Sequence, residues 1–148
     1  YKYGYFEFTI EISQGKGIFP AIWLLPEEDK GLPEIDIFEM IGSQPYTFYG
    51  VIHYEQDGDK KSDYFAHEVP VQEKYVVALE WGKDRLIWYI DGNKIYETES
   101  GVPQEYMYLI INQAVGGDWP GNPDDKVFPS RFKVQSITIK PMFMKGRG

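Results

Sequence analysis

The sequence predicts an all-β protein, a sandwich of two antiparallel sheets forming a single domain over residues 1–148. Three observations lead there. Period-two alternation of apolar and polar residues dominates, and no stretch offers three turns of helical periodicity. Strand-like runs recur with turn signals every 8 to 14 residues, the spacing of a sandwich. Fifteen glycines and ten prolines punctuate those runs, which favours short elements and many turns.

The elements follow in order. "YGYFEFTIEIS" (3–13) puts Phe6, Phe8, Ile10 and Ile12 on one face, as in a half-buried strand. After a Gly-Lys-Gly turn, "GIFPAIWLLP" (17–26) reads as a more fully buried strand bounded by prolines. The polar loop "EEDKGLP" leads to "PEIDIFEMIG" (33–42), and "YTFYGVIHYEQ" (46–56) is the next strand. "DGDKKSD" (57–63) reads as a solvated turn. "KYVVALEWGKDRLIWYIDGNKIYETES" (74–100) is a long hairpin with turns at Gly82-Lys83-Asp84 and Asp91-Gly92-Asn93. Asp-Gly accepts the positive φ of a tight turn. "MYLIINQAV" (107–115) and "RFKVQSITIK" (131–140) supply two more strands around an irregular Gly/Pro-rich loop. A flexible tail is expected at 141–148.

Charge narrows the partners. Twenty-three acids against fifteen bases give a net charge of −8 with no basic cluster, so a nucleic-acid partner is not expected. No apolar run is long enough to span a bilayer, and no membrane partner is expected. The absence of cysteine excludes disulfides and thiolate metal sites. The chain opens on Tyr1 without a signal-like segment, which leads us to expect a processed or partial chain.

Within "PEIDIFEMIG", Glu34, Asp36 and Glu39 crowd three like charges among Ile35, Ile37, Phe38 and Met40. On a helix they would fall at roughly 0°, 200° and 140°, on no common face. On a regular strand Glu34 and Asp36 share a face while Glu39 points into the core. One β-bulge near Ile37 or Phe38 removes the conflict by resetting the alternation. The glutamate Cα atoms would then lie roughly 13 to 16 Å apart. Their carboxyls can lean to within the ~5 to 5.5 Å of a retaining glycosidase. Neighbouring negative charge raises a carboxyl pKa, so one glutamate can hold a proton near neutrality while the other stays ionised. The same trio also reads as a solvated face or as calcium ligands.

Twelve Tyr, nine Phe and four Trp suit sugar recognition, because a pyranose C–H face packs on flat rings. Trp23 precedes the acidic segment by one strand and His53 follows it by one; either also fits as a packing residue. Trp119, in a polar loop, has little core to enter. Trp81 and Trp88 read as packing residues.

With these segments in view, the chain resembles glycoside hydrolase family 16, particularly its laminarinase-like (endo-β-1,3-glucanase) members. The resemblance runs over roughly residues 3 to 139, through "YGYFEFTIEI", "GIFPAIWLLP", "PEIDIFEMIG", "GVIHY", "LEWGKDRLIWYIDGNKIYE" and "INQAVGGDWPG" in family order. The E-x-D-x-x-E spacing resembles the bulged form of laminarinases, agarases and carrageenases; lichenases and xyloglucan transglycosylases carry a shorter one. The resemblance implies a concanavalin-like jelly roll with a cleft across its concave sheet, acting on a polysaccharide outside the cell or at its surface. It implies Glu34 as nucleophile, Glu39 as general acid/base and Asp36 as the residue that orients the nucleophile. Trp23, His53 and Trp119 would line the subsites.

Two departures accompany it. Family domains are longer at the amino end, where further strands complete both sheets. The expectation is therefore a partial chain, a fold closed over the gap, or strands supplied by a second copy. The family's calcium-binding aspartate in the last strand matches Gln135, so no cofactor is expected. The leading reading is a retaining endo-glycosidase cleaving β-1,3-linked or mixed β-1,3/1,4-glucans such as laminarin. Its rivals are a non-catalytic carbohydrate-binding sandwich, a family hydrolase of agar- or carrageenan-type galactans, and a calcium-binding structural module.

Overall fold

Ten strands stack as two five-stranded antiparallel sheets in the computed structural model, which describes residues 1–142. The strands are β1 (Gly4–Glu11), β2 (Ile18–Pro26), β3 (Glu34–Glu39), β4 (Thr47–Gln56) and β5 (Asp59–Glu68). They continue as β6 (Tyr75–Trp81), β7 (Leu86–Ile90), β8 (Asn93–Thr98), β9 (Met107–Val115) and β10 (Lys133–Lys140). One sheet has the order β10-β1-β6-β7-β8, the other β5-β4-β3-β2-β9. Among the described residues the one helical element is a single turn at Asp125–Val127 in the Gly/Pro-rich loop. No helix of the described residues is long and apolar enough to cross a membrane.

Alternation explains the layering. Phe6, Phe8 and Ile10 of β1 are fully buried against Ile22 and Leu24 of β2, Ile35 of β3 and Leu79 of β6. Each such side chain contributes about 1.5 to 3 kcal/mol when withdrawn from water. Trp81 and Trp88 are packing residues, as expected, and each indole finds a carbonyl: Trp81 Nε1 donates to Pro103 at 3.0 Å. The Asp91-Gly92 turn has φ values of 49° and 80°, as a tight hairpin requires.

One expectation fails. "DGDKKSD" is not a solvated turn: only Asp57 and Gly58 turn, and Asp59–Asp63 already belong to β5, paired with β4 from Gln56↔Asp59 onward. The misreading has a physical cause. β5 is an edge strand, and lysines on an edge deter pairing with other chains while erasing the apolar signal. The expected tail at 141–148 falls largely beyond the described residues.

The two flanks of the sandwich differ. On the β5/β8 flank, Asp63 accepts hydrogen bonds from Tyr96 and, at 2.5 Å, from Thr98, tying one sheet to the other. On the β9/β10 flank, residues aimed between the sheets meet solvent. Ile111 and Val115 pair with the buried Ile22 and Ile18, and Ile137 with the buried Phe8, yet they are 37%, 55% and 48% exposed. Core-facing side chains are therefore exposed along this flank.

Candidate active site

Strand β3 lies at the centre of its sheet, and its bulge sits where the acids require it. Against β2 the register runs Trp23↔Asp36 and Ile22↔Phe38, which leaves Ile37 unpaired. Against β4 it runs Asp36↔Val51 and Glu39↔Tyr49, so Ile37 and Phe38 together face the single Gly50. Both extra side chains are buried, with Ile35 and Met40 beside them. That burial anchors a strand that like-charge crowding would otherwise weaken.

The bulge is held from behind. It turns the Asp36 carbonyl out of the ladder, and the Trp88 indole of β7 donates to it at 3.2 Å. The indole reaches that far because Gly50 has no side chain. A Cβ there would stand 2.6 Å from Trp88 Nε1 and 2.3 Å from Phe65 Cε1.

On the other face, Glu34, Asp36 and Glu39 line one cavity of about 260 Å³ together with Phe19, Ala21, Trp23, Asn112 and Ala114. The acids are unequal. Asp36 is fully buried at the floor, whereas Glu34 and Glu39 are half-buried. Burial pushes the Asp36 carboxyl far up, and the charges of Glu39 and Glu34 add to the effect. The shift favours the protonated form of Asp36. Neither of its buried oxygens has a well-aligned hydrogen-bond partner, so little offsets the cost of ionising it. Burial likewise pushes Glu39 up to about 7, the Asp36 hydrogen bond working against the shift and the Glu34 charge reinforcing it. The floor thus pairs an aspartate whose pKa is raised by burial with a glutamate poised near neutrality.

The predicted aromatic and imidazole residues divide. Trp23 lines the cavity and donates through Nε1 to Asn112 Oδ1 at 2.9 Å. His53 stands opposite Glu34 in the β3–β4 ladder, with Nε2 3.0 Å from Asp36 Oδ2 and 3.6 Å from Glu34 Oε2. Its Nδ1 meets Ser62 Oγ at 2.8 Å, which orients the ring. Trp119 does not line the cavity. It packs edge-on against Phe19 and Tyr49 and is 44% exposed, forming a rim one residue removed from the acids.

Asn112 escaped the sequence reading, although "NQAVGGDWPG" contains it. Its place comes from register alone: Asn112 pairs with Ala21 and Ala21 with Glu39, three residues in one row across the sheet. Because the Trp23 indole can only donate, the Asn112 carbonyl is fixed toward it and the amide NH₂ is the edge left for the cleft.

Two metal arrangements can be weighed. Ligand atoms of Glu34, Asp36 and His53 lie within 4.8 Å of one another, but Asp36 is fully buried and the set offers one imidazole and two carboxylates where a hard cation takes six to eight oxygens. At the family's calcium position, Gln135 donates to Glu11 at 2.8 Å and Lys133 stands 3.4 Å from the same carboxylate. An amide donor and an ammonium already satisfy Glu11, and this set does not fit calcium.

Two antiparallel sheets, one carrying an acid trio over a cavity, define a jelly-roll sandwich of the kind that carbohydrate-active proteins use. Residues 1–134 match the family profile described as Glycosyl hydrolases family 16, and the chain belongs to that family. It is 31% identical over 140 residues to the endo-1,3-1,4-beta-glycanase ExsH of Rhizobium meliloti (strain 1021), covering 91% of this chain and 30% of that protein. It is 27% identical over 170 residues to the beta-glucanase of Rhodothermus marinus, covering 94% of this chain and 57% of that one. Among solved structures, the catalytic domain of an endo-1,3-beta-glucanase (laminarinase) from Thermotoga petrophila RKU-1 superposes with a TM-score of 0.84 at 32% identity. That match covers 94% of this chain and 64% of the other. The chain thus spans between about a third and two thirds of the length of these relatives.

Proposed function

We propose that this chain carries the catalytic face of a retaining endo-glycosidase acting on β-1,3-linked or mixed β-1,3/1,4-glucans. The observation that carries the reading is the bulge at Ile37, which turns Glu34 and Glu39 into one cavity on either side of the buried Asp36. The names of the similar proteins, a laminarinase and β-glucanases, support the substrate class. The net charge of −8 favours a neutral glucan over a sulfated galactan.

In the first step Glu34 attacks the anomeric carbon while Glu39 gives its proton to the departing glycosidic oxygen, and the C–O bond breaks as the glycosyl–Glu34 ester forms. In the second, Glu39, now a carboxylate, takes a proton from water, whose oxygen attacks the same carbon and releases Glu34. Asp36, proton-bearing and beside both, orients Glu34 and limits the charge at the floor. Trp23 offers a ring to a sugar face, and His53 holds the far side of Asp36. A polymeric substrate places the reaction outside the cell or at its surface.

The test is reducing-sugar release from laminarin together with NMR of the first-formed anomer. Glu34→Gln and Glu39→Gln should each abolish release while leaving the fold intact. Near-normal turnover in either variant, or an inverted first product, would reject the assignment. Retention on insoluble β-1,3-glucan without release by the unaltered chain would instead favour a binding module.

A further inference from the structure

Strand β5 carries a feature that the acid trio does not use. Tyr64 is 63% exposed, a large ring held out to solvent from the middle of a strand. Its two sequence neighbours are locked into the sandwich. Asp63 accepts hydrogen bonds from Tyr96 and Thr98 of β8, and Phe65 stacks on Tyr96 and meets Trp88 edge-on. Successive strand residues point to opposite faces, so anchoring 63 and 65 inward fixes 64 outward on a rigid support.

The face it points to is that of the cleft. Tyr64 pairs with Val51, Val51 with Asp36, and Asp36 with Trp23, one row across four strands. At about 4.8 Å per strand, Tyr64 stands about 10 Å from the Asp36 position on one side and Trp23 about 5 Å on the other. Its same-face neighbours along β5 are Ser62 and Ala66, both too small to cover the ring.

We propose that Tyr64 is the platform of an outlying sugar subsite, which takes a pyranose ring of the same β-glucan chain beyond the sugars that contact the acids. The proposal rests on the glucanase reading given above. A glucan lying across the strands would meet Trp23 on one side of the acids and Tyr64 on the other, about a disaccharide's length from the reacting bond. The ring offers a stacking face and its hydroxyl a hydrogen bond to a sugar hydroxyl.

The experiment compares Tyr64→Ala and Tyr64→Phe with the unaltered chain on laminarin oligosaccharides of increasing length. Tyr64→Ala should raise KM about five- to tenfold on long oligosaccharides and on laminarin, with kcat and the kinetics on the shortest cleaved oligosaccharide unchanged. Tyr64→Phe should recover most of the loss. Equal effects on short and long substrates, or no effect on either, would overturn the subsite. So would a shift in sedimentation with unchanged KM, because Tyr64 would then belong to a contact between copies. Absence of hydrolysis by the unaltered chain would count against the glucanase reading itself. Calorimetric titration with a long oligosaccharide would still separate Tyr64→Ala from Tyr64→Phe if the subsite is real.

Discussion

The Trp88 indole reaches across the core from one sheet to donate to the Asp36 carbonyl in the other, over the vacant side of Gly50. The acids are thus positioned from behind by a residue that never faces the cleft. Gly50→Ala would drive a methyl into the Trp88 and Phe65 rings, at a cost of about 1 to 3 kcal/mol. Trp88→Phe would leave the Asp36 carbonyl unpaired, again at about 1 to 3 kcal/mol. Both variants should show lowered denaturant midpoints and reduced activity. Full activity in either, with stability lost, would mean that the bulge holds without this support.

On the proposed mechanism, protonation of Glu39 sets the alkaline limb of activity. Its carboxyl is pushed up to about 7, and a general acid works only in its protonated form. Activity on a glucan oligosaccharide should therefore decline as pH rises through about 7. A profile flat to strongly alkaline pH would remove Glu39 from the acid role.

Asp36 predicts a trade between stability and activity. Its folded-state pKa is raised above the ordinary value of 3.8, so the folded state holds a proton that the unfolded chain releases. The sign follows: the wild-type chain loses stability as pH climbs above about 4, because ionisation favours the unfolded ensemble. Asp36→Asn, which cannot ionise, should be more stable than wild type by about 1 to 3 kcal/mol at pH 7. The difference should shrink toward pH 4. On the proposed mechanism its turnover should fall about a hundredfold as Glu34 loses its orientation. Thermal midpoints measured across pH would sink the idea if the variant proved equally destabilised at every pH.

Chelation should change nothing. With Glu11 engaged by Gln135 and Lys133, and Asp36 fully buried, neither carboxylate set suits a hard cation. The melting temperature should be the same in excess EDTA as in calcium. A drop of several degrees in the chelator would restore a metal to one of these places.

Much of this was legible because the strong signals were local. In "PEIDIFEM" the apolar and acidic positions fit a single register, so a bulge near Ile37 or Phe38 could be read from the sequence, and pairing with β2 places it at Ile37. The alternation of β1 and the Asp91-Gly92 turn were equally plain. What stayed hidden depends on register between strands distant in sequence. Asn112 meets Trp23 across 89 positions, and nothing near either residue announces it. β5 was misread because its solvent-facing lysines mask the alternation that Asp63, Phe65 and His67 begin. That the rim Trp119 reaches the cavity only through Phe19 was likewise beyond reach.

The contrast between the two flanks has a consequence for how the molecule comes apart. A sandwich latched by Asp63 along one seam and unsealed at Ile111, Val115 and Ile137 along the other should loosen from its unsealed seam first. Backbone amides of β9 and β10 would exchange with deuterium soonest, and those of β3 would be among the last. The acidic strand would then keep its shape through early fraying, with Trp23 and Asn112 parting before the carboxyls do.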